Sequence, residues 1–285
     1  MRLLVLGGTR FVGRAVVVTA LGHGWEVATF NRGLSAADVP GVRALRGDRT
    51  KAADLAGLAD AGPWDAVIDT SGYVPREVLA ACQRLEPVAT HYVFMSTVSV
   101  YPGWPAKPLT EASEVLYCPP DAGPDYGEET EDGPTQYGYQ KSGCELAVTA
   151  MFGPARSTVM RPGVVLGPRE YVGRLPWWLN RVAAGGRVLA PGSPDRSIQP
   201  VDVGDLAEFA VRSEGHGIGG AYNVTAPVGR ETFGRMVDTC SRVTGSAFVN
   251  ALADSLSASE VAEALDLVAD GGLADDVACP EVFCT

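Results

Sequence analysis

Short, unbroken apolar runs recur along the chain, each closed by glycine or small polar residues and followed by a stretch whose apolar positions fall at helical spacing. Leu3, Leu4, Val5 and Leu6 form the first run. Trp25 to Phe30, Val42 to Leu45, Trp64 to Asp69, His91 to Met95 and Ser157 to Met160 follow. Between them Phe11 to Leu21, Asp54 to Leu58, Val78 to Leu85 and Gln136 to Ala150 read as helices. Strands apolar on both faces, alternating with helices, predict an α/β fold with a doubly wound parallel sheet. Further on, Leu175 to Ala184 predicts a helix, Pro200 to Val203 a return strand, Asp205 to Val211 a helix, Ala221 to Val224 a strand and Glu231 to Val243 a helix. The last forty residues, Ala-rich and acidic, read as helical. Residues 1–163 with about 197–225 are expected to form the main domain, and about 164–196 with 226–285 a smaller lobe near the C-terminus.

The first strand runs directly into Gly7, Gly8, Thr9, Arg10, Phe11, Val12 and Gly13. Gly7 allows a tight turn, Gly8 has no side chain to hold a ligand away, and Gly13 lets the next helix pack close to the strand. The helix then points its free N–H groups and positive dipole end at an anion, and a dinucleotide pyrophosphate fits there. The same pattern also builds α/β domains that hold no cofactor, so a second feature is needed. The dinucleotide fingerprint asks for a reader of the ribose roughly 20 residues on. The second strand ends in Asn31 and Arg32, with no carboxylate. An Arg there favours the 2′-phosphate of NADP over the 2′-hydroxyl of NAD, with Arg10 as a second clamp. NADP(H) is therefore the preferred cofactor, and NAD the alternative. Asp48, after the third strand, serves either as an acceptor for the adenine amino group or as a turn and helix-capping residue. Thr70 and Ser71 follow the fourth strand, at the sheet end where ligands lie.

Composition narrows the classes. The 285 residues are 46% hydrophobic, enough for a sizeable core, and a net charge of −11 leaves no basic footprint for nucleic acid or for an anionic membrane surface. Six cysteines show no CxxC spacing and the three histidines lie far apart, so no metal site is expected. The first strand begins at once and no apolar run approaches the ~18 residues of a membrane span, so the expectation is a cytoplasmic protein. Cys144 reads as a small buried hydrophobe.

Two clusters carry chemistry: Ser96, Thr97, Val98, Ser99, Val100 and Tyr101 after the fifth strand, and Tyr137, Gly138, Tyr139, Gln140 and Lys141 opening a helix. Tyr137 and Lys141 are four apart and share a helix face, where an ammonium favours the ionised phenol. A phenol pulled below its ordinary pKa of about 10 serves as general acid or base at neutral pH. Thr97 would hold the substrate oxygen that exchanges that proton. The stretch from Tyr101 to Gln136, rich in Pro, Gly, Asp and Glu, reads as an active-site flap or an acidic loop.

With these pieces in order, Met1 to Val211 resembles the extended short-chain dehydrogenase/reductase family, also described as the NAD-dependent epimerase/dehydratase family. The matching motifs are GGTRFVG, Asp48 after Gly47, STVSVY, YGYQK with Glu145 following, RPGVVLGP and VDVGDLA. The resemblance implies a Rossmann-type sheet with a smaller substrate-binding lobe, Tyr137 as acid/base, Lys141 as its modulator and a ligand of the nicotinamide ribose, and Thr97 as the catalytic hydroxyl. It also places Asp69, Thr70 and Ser71 along the cofactor cleft and Pro162 against the nicotinamide, and suggests a homodimer. Arg10 replaces the middle glycine of the family loop, as in an atypical branch. Val98 and Ser99 stand where sugar 4,6-dehydratases carry Asp and Glu, and where an epimerising relative carries Cys at Ser99, so neither chemistry is expected. A reductase or dehydrogenase with exchangeable NADP(H) is favoured; an NAD-dependent nucleotide-sugar 4-epimerase and a non-catalytic cofactor-binding protein are the alternatives. The substrate is a small metabolite or nucleotide sugar. Ser99, Arg169 and Arg196 are candidate substrate contacts, the arginines either clamping a diphosphate or serving as solvated surface charges.

Overall fold

In the computed structural model of the protein, the described residues are 1–104, 107–130, 134–190, 193–215, 218–246 and 248–252. In chain order the elements are β1 (Arg2–Leu6), α1 (Phe11–Gly22), β2 (Glu26–Asn31), β3 (Arg43–Arg46), α2 (Ala52–Asp60), β4 (Trp64–Asp69), α3 (Pro75–Leu85), β5 (Ala89–Met95), α4 (Gln136–Phe152), β6 (Ser157–Pro162) and β7 (Val164–Leu166). They continue with α5 (Arg174–Ala183), β8 (Gly186–Ala190), β9 (Ser197–Ile198), β10 (Pro200–Asp202), α6 (Val203–Gly215), β11 (Gly220–Val224), β12 (Glu231–Thr232), α7 (Phe233–Thr244) and β13 (Phe248–Leu252). The chain divides into two compact units, residues 1–165 with 201–224, and residues 166–200 with 225–285.

The first unit is built on a seven-stranded sheet ordered β11-β6-β5-β4-β1-β2-β3, and every strand pair in it is parallel. Alternation along β1 sends its side chains to opposite faces. Leu4 and Leu6 join Val67, Tyr92 and Phe94 against helices α2, α3 and α4. Leu3 and Val5 join Val27, Ile68 and Val93 against α1 and α6. Both layers exclude water, which is why the strands read as continuous apolar runs. The strand order reverses beside β1, whose neighbours are β2 and β4, so the carboxyl ends of β1 and β4 open at a topological switch point.

In the second unit β9 pairs antiparallel with β12, and β8 pairs parallel with β13. Two expectations are corrected here. Glu231–Thr232 is a strand, and α7 starts only at Phe233, because the Thr232 hydroxyl accepts from the backbone N–H of Arg235 and caps the helix there. The Ala-rich terminus was expected to be helical, but Phe248–Leu252 is a strand: Gly245, at φ +70°, ends α7, and an aromatic, β-branched start follows it. Residues 253–285 of that expected helix lie outside the described residues.

Candidate active site

The glycine loop lies at the switch point. Gly7 and Gly8 take φ +109° and +92°, values that side chains rarely adopt, and a Cβ on Gly7 would meet Thr70 Oγ1 at 2.6 Å. A Cβ on Gly13 would lie 2.7 Å from the same hydroxyl and 2.8 Å from the backbone nitrogen of Gly8. Glycine is therefore required for α1 to approach the ends of β1 and β4 this closely. Thr9 is buried, and Phe11, at φ +26°, opens α1 with Val12 behind it. No side chain caps α1, its N-cap residue is Arg10, and its first turn carries no carboxylate. An uncapped helix start beside two glycines fits a dinucleotide pyrophosphate, held by the N–H groups of this turn.

Beside the loop, the ends of β2 and β3 are tied together. Asn31 donates through Nδ2 to the Gly7 carbonyl at 3.3 Å, and its Oδ1 accepts from the Gly33 N–H at 2.8 Å and from Arg46 Nη1 at 3.2 Å. Arg46 also forms an ion pair with Asp38. The Asp38 carboxylate accepts in addition from Thr29 Oγ1 at 3.2 Å and Asn31 Nδ2 at 3.3 Å. The hydrogen bond from Arg46 is the main reason its carboxyl titrates below the ordinary carboxylate range. Arg32 is exposed. Asp48 accepts from the backbone N–H and hydroxyl of Thr50, at 3.0 and 2.8 Å, which lower its pKa and make it a turn residue.

A buried ion pair fixes the end of β4. Arg49 donates to Asp69 through Nη1 and Nη2 at 3.1 and 2.9 Å, and Tyr92 donates to Asp69 at 2.9 Å. Burial alone would push the Asp69 carboxyl up. Arg49, the Ser71 N–H and the Tyr92 hydroxyl hold it below its ordinary value instead. Arg49 also reaches Ser71 Oγ at 3.3 Å, and Thr70 Oγ1 donates to the Leu6 carbonyl at 3.1 Å.

The helix start bearing Tyr137 and the turn bearing Thr97 meet where α4 begins. Thr135 caps the helix by accepting from the Gly138 N–H. A Cβ on Gly138 would stand 2.3 Å from the Ser99 carbonyl oxygen, so the helix start bearing Tyr137 rests directly on the turn bearing Thr97 and Ser99. In that turn Thr97 Oγ1 accepts from the Ser99 N–H at 3.1 Å and donates to Ser99 Oγ at 3.2 Å. Lys141 is buried and donates through Nζ to the carbonyls of Gly72, at 2.8 Å, and Met95. Its ammonium lies 4.2 Å from the Phe94 ring centroid and 5.3 Å from that of Tyr73. Burial pulls its pKa down to about 8, so it is still mostly the cation at neutral pH. The Tyr73 ring lies 6.5 Å from that of Tyr137, which is 44% exposed and so open to a ligand. Beneath them, Glu145 and Arg161 pair within the core. Ser96 donates to Glu145, and Arg161 Nη1 donates to Tyr101 Oη at 2.7 Å. Pro162, one residue on, is buried at the end of β6.

The described residues of the acidic segment after Tyr101 are tied down at several points. Leu116 N–H donates to the Val100 carbonyl, Gln140 Nε2 donates to the carbonyls of Gly123 and Tyr126, and Glu111 accepts from Asn223 N–H. Arg169 and Arg196 belong to the second unit, where Arg169 has φ +70° and the Arg196 carbonyl accepts from the Phe233 N–H. Sequence reasoning passed over Arg46, Asp38, Arg49 and Tyr73. Arg46 and Arg49 flank the Gly47–Asp48 motif, and Tyr73 closely follows Thr70 and Ser71, but nothing in the sequence pointed to Asp38. Among the described residues no group of acidic, His and Cys side chains is placed to hold a metal ion, and no helix is long and apolar enough to cross a membrane.

Comparison with known proteins agrees with this fold. Over 221 residues the chain is 26% identical to an Arabidopsis thaliana protein named chloroplast stem-loop binding protein of 41 kDa b; the match covers 72% of this chain and 53% of that protein, so the chain spans about half its length. In fold it is similar to Thermus thermophilus UDP-glucose 4-epimerase complexed with NAD, at 20% identity, TM-score 0.66 and coverage of 100% of this chain and 97% of that one. It is also similar to the Bordetella bronchiseptica enzyme WbmG complexed with NAD and UDP (18%, TM-score 0.68, 90% and 84%). A third likeness is to a dTDP-4-dehydrorhamnose reductase from Clostridium acetobutylicum (17%, TM-score 0.64, 88% and 83%). The profile of the NAD dependent epimerase/dehydratase family matches residues 3–225, and the chain belongs to that family.

Proposed function

We propose that the protein is an NADP(H)-dependent oxidoreductase that interconverts a carbonyl and a carbinol on a small metabolite or nucleotide sugar. The observation that carries this reading is the seating of α4: Gly138 lets the Tyr137 turn lie on the Thr97 turn, one helical turn before the buried Lys141. A bound nicotinamide supplies or accepts the hydride. Tyr137 gives its phenolic proton to the carbonyl oxygen in reduction and takes it back in oxidation. The Thr97 hydroxyl donates to that same oxygen and stabilises negative charge as it develops. Lys141 supplies positive charge on the Tyr137 face of α4, and its two carbonyl contacts fix it between the ends of β4 and β5. Gly7, Gly8, Gly13 and the first turn of α1 would hold the pyrophosphate, with Thr70, Ser71 and Pro162 along the cleft.

We place the enzyme in the cytoplasm, as a homodimer; the buried thiols of Cys82, Cys118, Cys144 and Cys240 suit a reducing compartment. The plant relative's name mentions stem-loop binding, but a net charge of −11 opposes the phosphate contacts on which nucleic-acid affinity rests. The test is Tyr137→Phe, followed by nicotinamide absorbance against a panel of ketones and nucleotide 4-keto sugars. Retained cofactor affinity with turnover down at least a hundredfold supports the assignment, and near-normal turnover removes it. NAD that co-purifies and does not exchange would favour a 4-epimerase instead.

A further inference from the structure

We propose that Arg46, held in place by Asp38, is the residue that selects the adenosine 2′-phosphate of the cofactor. This rests on the nucleotide-binding part of the reading above and adds a residue to it. The end of the second strand, Asn31 and Arg32, carries no acid to accept from a 2′-hydroxyl. The structure shows what occupies that corner instead. Asp38 returns from the β2–β3 connection to the end of β2, where its Oδ1 accepts from Thr29, Asn31 and Arg46 and its Oδ2 from Arg46. A carboxylate so engaged, with a side chain only 18% exposed, has little capacity left to accept from a ribose hydroxyl. Its role is to hold the guanidinium.

Arg46 is the outward half of the pair, 46% exposed. Its Nη1 and Nη2 make three hydrogen bonds, to Asn31 and Asp38, out of a fork with five N–H donors. Its position is fixed by β3, where Arg46 pairs with Asn31 in register. Gly33 leaves room for it, since a Cβ there would stand 2.9 Å from Arg46 Nε. One link connects this fork to the pyrophosphate loop: Asn31 bonds both Arg46 and the Gly7 carbonyl. A planar, preorganised guanidinium beside the glycine loop matches a phosphate monoester on the adjacent ribose, and preorganisation by Asp38 lowers the ordering cost of binding it. Arg32, on the next residue after β2, adds charge at the same corner without being fixed there.

The test compares NADPH with NADH, which differ only in that phosphate, by equilibrium titration of the full chain. In the wild type NADPH should bind more tightly. Arg46→Gln should weaken NADPH about tenfold or more and leave NADH within about twofold, with Arg46→Lys between the two. Asp38→Asn should weaken NADPH by a smaller factor and again spare NADH, because it loosens the fork without removing it. Equal losses for both cofactors, no loss in Arg46→Gln, or tighter NADPH in Asp38→Asn would overturn the proposal, the last by showing that Asp38 repels the phosphate. A variant that melts early is judged by its NADPH to NADH ratio, which a merely structural defect does not change. Wild-type protein that binds neither nucleotide overturns the cofactor reading itself, and this proposal with it.

Discussion

Removing the Glu145 carboxylate should cost far more than the loss of an average side chain. Glu145 and Arg161 are 8% and 7% exposed, and the carboxylate accepts from Arg161 Nε and Nη2 as well as from Ser96. Glu145→Ala leaves a guanidinium buried without its counter-ion, a loss of about 3–5 kcal/mol. At roughly 2–4 °C per kcal/mol for a domain of this size, Tm should fall by about 6–20 °C. The assay is thermal and urea unfolding by circular dichroism, on Glu145→Ala, Arg161→Met and the double variant Glu145→Leu, Arg161→Met. Replacing both charges with apolar groups removes the stranded charge, so the double variant should recover much of the loss. A Tm unchanged in Glu145→Ala, or losses that simply add in the double variant, would refute the reasoning.

Three other outcomes are expected. Gly138→Ala forces a Cβ into the space 2.3 Å from the Ser99 carbonyl and should destabilise by about 1–3 kcal/mol, read by urea unfolding; full stability would mean that the helix start and the Thr97 turn do not meet as described. Gly8→Ala places a side chain at φ +92° within 2.9 Å of Thr29 Cγ2, and should weaken NADPH and NADH together in a titration, unlike Arg46→Gln. Lys141, with a pKa pulled from 10.5 to about 8, binds its proton less well folded than unfolded. Between those values the unfolded state therefore holds more protons, and this group makes stability rise with pH by up to about 1.4 kcal/mol per unit. Lys141→Met should flatten that rise in denaturation curves taken from pH 7.5 to 10.5, and an unchanged slope would show that folding does not lower the Lys141 pKa.

The parallel sheet was legible because strands buried on both faces must be apolar throughout, and because Gly7, Gly8 and Gly13 break the first of them at a helix start. That Tyr137 and Lys141 lie on one helix was legible for a similar reason: helical periodicity marks α4, and a helix converts a spacing of four into a shared face. The contacts around Asp38, Arg46 and Asn31 were not. They join residues on two strands and a connecting loop, and only the register that sets Asn31 opposite Arg46 brings them together. The pairs Arg49 with Asp69 and Arg161 with Glu145 were hidden in the same way, since a charged residue in a sequence gives no sign that its partner lies in the core. The terminal segment misled because alanine-rich composition favours helix locally, whereas Phe248–Leu252 pairs with β8.

The most direct measurement of the central claim is a titration of the purified full chain with NADPH and NADH, together with mass spectrometry of any nucleotide released on denaturation. The account predicts one exchangeable nicotinamide nucleotide per chain, NADPH bound more tightly than NADH, and binding preserved in Tyr137→Phe. Absence of binding by any nicotinamide nucleotide would contradict it.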